Sequence, residues 1–180
     1  MANWIDLEPG RFPTPTDFND ADNNEASTTV FPSGSITETL GAVRWQIDSE
    51  GGSGLRALRF VQLHADSAAV ATGTPVMWKD TTMTIVTTVI SSSRNHPAGV
   101  GIGTLTAGRY GWIQCKGYHA AVITDGGDDI AKGDSVIYSA TDAKVDSVAA
   151  GTSPTYKPLG FAAAADVDAD NTVAVYLDLL

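Results

Sequence analysis

Apolar residues in this chain recur at every second position in short runs, and no segment sustains the three-and-four spacing of an amphipathic helix. Leu58-Arg-Phe-Val-Gln-Leu63, Val76-Met-Trp78, Met83–Ile90, Tyr110–Lys116, Val136-Ile-Tyr138, Val145–Val148 and Thr172–Leu177 all read as strands. Met83–Ile90 is dominated by β-branched residues, which lose little by fixing χ1 on a pleated surface. Shorter apolar steps at Val100–Thr104 and Leu159–Ala163 add two more strand candidates. Between the runs lie turn formers: Asp48-Ser-Glu-Gly-Gly-Ser-Gly54, Lys79-Asp80, Thr106-Ala-Gly-Arg109 and Thr141-Asp142. Ile36, Leu40, Val43, Trp45 and Ile47, with Thr37, Glu38, Arg44 and Gln46 between them, predict the first arm of a hairpin over Ser35–Ala65. The alanines Ala162–Ala165 are too few to nucleate more than one helical turn.

The pattern occurs twice. Gly73-Thr-Pro-Val-Met-Trp78 and Gly133-Asp-Ser-Val-Ile-Tyr138 share a Gly-x-x-Val-aliphatic-aromatic order 60 positions apart. Gly101-Ile-Gly has an echo at Gly160-Phe-Ala, 59 positions on, and each echo closes with a strand, Tyr110–Cys115 and Val173–Leu177. Two nearly equal offsets predict one supersecondary unit used twice, over about 66–120 and 126–180, with Gly117–Ile123 joining them. The expected fold is all-β, with short antiparallel strands forming a jelly-roll or small-barrel-like sandwich, and no parallel βαβ signature.

Residues 1–34 read as an extended N-terminal arm ahead of a β-rich domain over 35–180. Pro9, Pro13, Pro15 and Pro32 stop helices, and Asp17-Phe-Asn-Asp-Ala-Asp-Asn-Asn-Glu25 is too polar to bury much. Yet Trp4, Ile5, Leu7, Phe12, Phe18 and Phe31 are spread through the arm, more large apolar groups than a free linker leaves in water. The arm is therefore expected to plug aromatics into a surface, with Trp4, Phe12 and Phe18 as anchors. That surface belongs either to a partner or to its own domain.

Composition narrows the partners. Of 180 residues 43% are hydrophobic and only 18% charged, enough for a packed core and too little charge for solvent-facing helices. The formal net charge is −10 with 11 basic residues, a poor match to nucleic acid, whose binding rests on neutralised phosphates. No membrane partner is expected either, because no stretch of about 18 apolar residues occurs. Without a basic-then-apolar leader, synthesis in a cytosol is the expectation. The single cysteine, Cys115, excludes an intrachain disulfide framework and sits in an apolar run that predicts a buried, inert thiol.

Candidate chemistry is sparse. His64, His96 and His119 lie far apart, without zinc-ligand spacing, and read as surface or packing residues. Gly99-Val-Gly-Ile-Gly103 is glycine-rich, but no helix follows to hold a phosphate at its N-terminus. Asp166-Val-Asp-Ala-Asp170-Asn resembles the start of a calcium loop, but Asn171 stands where the loop needs glycine and Leu177 where it needs glutamate. Asp125-Gly-Gly-Asp-Asp129 could also collect a hard cation. Solvated turn acids are the expected reading of both clusters, so no metal, cofactor or catalytic residue is assigned and the chain reads as non-enzymatic. A carboxylate hydrolase using Asp125, Asp128 and Asp129 is the enzymatic alternative.

The Arg59-Phe-Val-Gln-Leu63 strand, the Ala71-Thr-Gly-Thr-Pro-Val76 step, Gly99-Val-Gly-Ile-Gly103 and Ala107-Gly-Arg-Tyr-Gly-Trp-Ile-Gln-Cys-Lys-Gly117 together resemble bacteriophage head decoration, or cement, proteins. The resemblance is one of texture and covers roughly residues 55–180. It implies a structural virion protein on the outer surface of the expanded capsid, assembled in the host cytoplasm. Its partners would be the major capsid protein and itself, as homotrimer or homodimer, with an arm reaching along the shell. It carries over no catalytic residues. The competing reading is another virion part or a glycan-binding adhesive module, such as a head fibre or tail component, favoured if Tyr110, Trp112 or Tyr118 lines a groove.

Overall fold

Alternating β-branched and aromatic residues hold this chain extended, and among the described residues of the computed structural model every element is a β-strand. The structure describes residues 3–5, 39–48, 54–89, 96–126, 130–166 and 171–180. In chain order the strands are β1 (Asn3–Ile5), β2 (Val43–Asp48), β3 (Gly54–Leu63), β4 (Pro75–Trp78), β5 (Ile85–Thr87) and β6 (Pro97–Gly101). Then follow β7 (Tyr110–Ile123), β8 (Ser135–Tyr138), β9 (Val145–Val148), β10 (Gly160–Ala162) and β11 (Thr172–Asp178). The fold is all-β, and the described residues form one eleven-stranded, mostly antiparallel sheet.

Its pairings close on themselves. β3 runs parallel to β5; β5 pairs antiparallel with β4, β4 with β6 and β6 with β7; and β7 returns antiparallel to β3. This circuit encloses Val61, Leu63, Val70, Val76, Trp78, Val86, Ala98, Leu105 and Ile113. A second circuit starts from the far half of β7: β7 pairs with β11, β11 with β10, β10 with β8 and β8 with β9. A parallel bridge from Thr124, just past β7, to Val145 in β9 closes it. Both circuits are thus small and barrel-like, each with a single parallel contact, and closure removes the sheet edges that would otherwise invite pairing.

The likeness extends to single hydrogen bonds. Gly73 N–H donates to Gly101 O and Gly101 N–H to Thr74 O, at 2.9 and 2.8 Å. Gly133 N–H donates to Ala162 O and Ala162 N–H to Asp134 O, both at 2.9 Å. The Thr74 hydroxyl accepts from Ala71 N–H and the Asp134 carboxylate from Ala131 N–H, both at 3.0 Å. Two left-handed residues match as well, Met83 at φ 56° and Ala143 at φ 59°. These bonds correct the expected echo: Gly101 corresponds to Ala162, and Gly160 corresponds to Gly99. Val76 pairs with Gly99 as Val136 pairs with Gly160, and an added Cβ would overlap a carbonyl in each case, Gln114 O or Tyr176 O. The sequence register slipped by two, one full pleat, because glycines recur on that face.

The joint between the circuits is itself a strand. Tyr110–Ile123 is continuous, so the joining segment expected over Gly117–Ile123 is the second half of the strand expected over Tyr110–Lys116. Gly117 passes through in a left-handed conformation (φ 92°), and the close approach of the Leu55 carbonyl leaves no room for a Cβ. The two cores also merge: Met77 and Val100 of the first circuit pack with Val136, Tyr138, Leu159 and Val175 of the second. Across the same seam the Tyr138 hydroxyl donates to the Val76 carbonyl.

Outside the first circuit, β2 adds antiparallel to β3, as the predicted hairpin requires, and β1 adds antiparallel to β2. On β2 the intervening polar residues are the buried ones. Arg44 places its guanidinium over the Trp112 ring, 5.2 Å from the centroid, and Gln46 accepts from Arg56 Nε. Val43, by contrast, is exposed. β5 is shorter than predicted. Thr84 and Ile85 are tied by their N–H groups to the Asp80 carboxylate, and left-handed Met83 ends the pleat.

Candidate interaction surfaces

Of the three anchor candidates, Trp4 lies in β1, its backbone opposite Gln46 of the same chain. Phe12 and Phe18 lie outside the described residues. Edge addition of β1 to β2 ties the start of the arm to its own domain through main-chain pairing, whatever its later residues contact.

The groups that carry chemistry are dispersed. His64 is partly exposed beside Asp66, with Nδ1 3.7 Å from the carboxylate. His96 is exposed immediately before β6. His119 is buried: its Nδ1 accepts from Ala121 N–H at 3.3 Å and the Gly101 carbonyl lies on its other side. Burial drives its pKa down to about 4, Arg56 pushes the same way and the Gly101 carbonyl opposes. Cys115 is buried and donates to the Ala57 carbonyl at 3.4 Å; burial lifts its thiol to about 12, leaving it neutral and unreactive. Among the described residues no three His, Cys, Asp or Glu side chains come together as a metal-holding group.

The acidic clusters divide. Asp125 is half-buried and accepts from the Ser139 hydroxyl; Asp128, Asp129, Asp168 and Asp170 lie outside the described residues. Asp166 was expected to be a solvated turn acid, but it is only 8% exposed and its Oδ1 has no hydrogen-bond partner. The glycines at 99 and 101 serve packing, since a Cβ on either would overlap Gln114 O, or Val70 and Ala71 O.

Of the aromatics that would favour an adhesive module by lining a groove, Trp112 is buried against Phe60, with centroids 5.2 Å apart, and Tyr110 stacks on the same phenylalanine at 6.5 Å. Only Tyr118 faces outward in company. Val173, Val175 and Leu177 of β11 point into the core, so Tyr176 and Asp178 point out. Register then sets Tyr176 beside Tyr118 of β7 on one flank and Phe161 of β10 on the other. The ring centroids are 5.4 and 5.6 Å apart, and Phe161 and Tyr176 are 50% and 44% exposed. One pleat along, Lys116 Nζ meets Asp178 Oδ1 at 2.9 Å. The alternation of Val173, Val175 and Leu177 is the local signal that could have marked Tyr176 as outward. Its neighbours could not be read, since they depend on register between strands far apart in sequence.

An open cleft of about 370 Å³ lies at the β4–β5 turn, lined by Trp78, Lys79, Asp80, Thr81, Met83 and His96. The Asp80 carboxylate is already engaged by Thr82, Thr84 and Ile85, which leaves Lys79 and His96 as the cleft's other ionisable side chains. No family model, curated protein or solved structure matches the chain.

Proposed function

We propose that this protein is a non-enzymatic structural component of a virion, binding the outer surface of an expanded bacteriophage capsid and stabilising it. Its partners on this reading are the major capsid protein and further copies of itself. One observation carries most weight: two barrel-like circuits are fused through a single strand, with Met77 and Val100 of one in the core of the other. A cement protein has to bear load between capsid subunits without yielding at an internal hinge, and a shared strand with a shared core supplies that stiffness. The sequence texture of Gly-x-x-Val steps and glycine-rich strands points the same way.

The energetics are those of linkage. A plug that binds only the expanded shell stabilises that state by mass action. Repetition of modest contacts around a symmetric shell raises avidity without any tight single site.

The test is co-sedimentation of the purified protein with expanded capsids that lack it, beside unexpanded procapsids. Saturable binding to expanded shells alone is the expected result. Absence of binding to both overturns the reading.

A further inference from the structure

Phe161, Tyr176 and Tyr118 form an outward row across three neighbouring antiparallel strands, backed by the buried side of β11. We propose that this face docks a second copy of the same chain, row against row, about a two-fold axis. The inference deepens the self-association in the function proposed above. It is tested on free protein, so its failure is distinguishable from failure to bind a shell.

Exposure makes the row a candidate hot spot. Aromatic rings half open to water, on a rigid sheet, are what interface centres are built from. The ring geometry then selects the partner. Tyr118 and Tyr176 are tilted by 60° and Phe161 and Tyr176 by 41°, so the row is ridged and offers no flat platform for a run of sugar rings. A ridged row fits an equally ridged one, which a two-fold axis supplies.

Charge permits the approach. The chain carries a net −10, and two copies repel unless they meet across neutral ground. On this face Lys116 and Asp178 neutralise each other at 2.9 Å. Shape completes the argument. The long Lys116–Asp178 pair stands on one side of the row, while the small Ala174 of β11 and Ala120 of β7 lie on the other. A two-fold axis through the row sets each copy's long pair over its neighbour's alanines.

Sedimentation velocity on the full chain, over a range of micromolar concentrations, reads the outcome. The wild type is expected to form a dimer, or an even-numbered assembly of dimers. Phe161→Ser with Tyr176→Ser is expected to weaken association roughly a hundredfold or more, and Ala174→Arg, which removes no aromatic surface, to do the same. Met83→Ser, at an exposed apolar residue elsewhere, leaves association unchanged. Circular dichroism confirms that each variant is folded, and Ala174→Arg carries the test if the double variant is not. A wild type that stays monomeric, a trimer, or an oligomer indifferent to both variants overturns the proposal. So does a monomer that binds a glycan through the row.

Discussion

Leu105 and Asp166 hold the same place in the two circuits. Leu105 N–H donates to Val70 O at 2.9 Å, and Asp166 N–H donates to Ile130 O, the equivalent acceptor, at 2.8 Å. Leu105 is fully buried in the first core, whereas Asp166 is nearly buried with Oδ1 unpartnered. The second circuit thus keeps a carboxylate where its twin keeps a leucine.

Burying a carboxylate oxygen without a partner costs free energy that a leucine does not. Asp166→Leu is therefore expected to raise stability by about 1–2 kcal/mol at pH 7, and Leu105→Asp to lower it by roughly 3 kcal/mol or more. Guanidinium unfolding of both variants checks this. A loss of stability in Asp166→Leu would show that the position is not leucine-like.

How much of this could be read in the sequence depends on whether the signal was local. The doubling showed because Gly73–Trp78 and Gly133–Tyr138 repeat their own spacing, and the strands showed because their burial alternates. What failed had a long-range cause. Arg44 and Gln46 are buried because Trp112 and Arg56, on other strands, receive them. Gly117–Ile123 read as a joint apart from the Tyr110–Lys116 strand, because only the approach of Leu55 explains a glycine inside one continuous strand. The aromatic row needed the register of three strands, of which only Tyr118 had been singled out.

Gly160 and Gly99 meet the carbonyls of Tyr176 and Gln114 at equivalent places. Gly160→Ala forces β10 away from β11 and is expected to cost roughly 3 kcal/mol or more, with Gly99→Ala similar. Gly133→Ala, where no atom lies within 4 Å of an added Cβ, has only its positive φ to lose, about 1 kcal/mol. Thermal melts of the three rank them, and equal losses would refute the close-approach argument.

Tyr138 ties the circuits by donating to Val76 O, and Met77 packs in the second core. The tryptophans Trp4, Trp45, Trp78 and Trp112 all precede the second circuit's own strands, so their fluorescence reports the first circuit with the added strands β1 and β2, while circular dichroism reports both circuits. The two transitions are expected to coincide in denaturant, as a shared core demands. Tyr138→Phe leaves the Val76 carbonyl short of a donor and is expected to cost about 1–3 kcal/mol. Separated transitions in the wild type would mean that the circuits fold independently.

His119 gives the fold a pH dependence whose sign is set by burial. Its folded pKa is lowered, mainly by burial, from 6.5 to about 4, while the unfolded chain takes its proton near 6.5. Between those values the unfolded state holds one more proton than the folded state, so stability rises with pH. The contribution is fully present above about pH 6.5 and is lost as the pH falls towards about 4, roughly 3 kcal/mol in all. Asp80 falls outside this window. Burial pushes its carboxyl up, but hydrogen bonds from Thr82, Ile85 and Thr84 outweigh that and hold it below 3.8. Urea unfolding at intervals from pH 7.5 to 4, for the wild type and His119→Gln, isolates the histidine. The wild-type curve should fall more steeply than the variant's between pH 6.5 and 4, because glutamine has no proton to take up. Parallel curves would show that His119 takes up its proton as readily in the fold as in the unfolded chain, the Gly101 carbonyl then offsetting the loss of solvent.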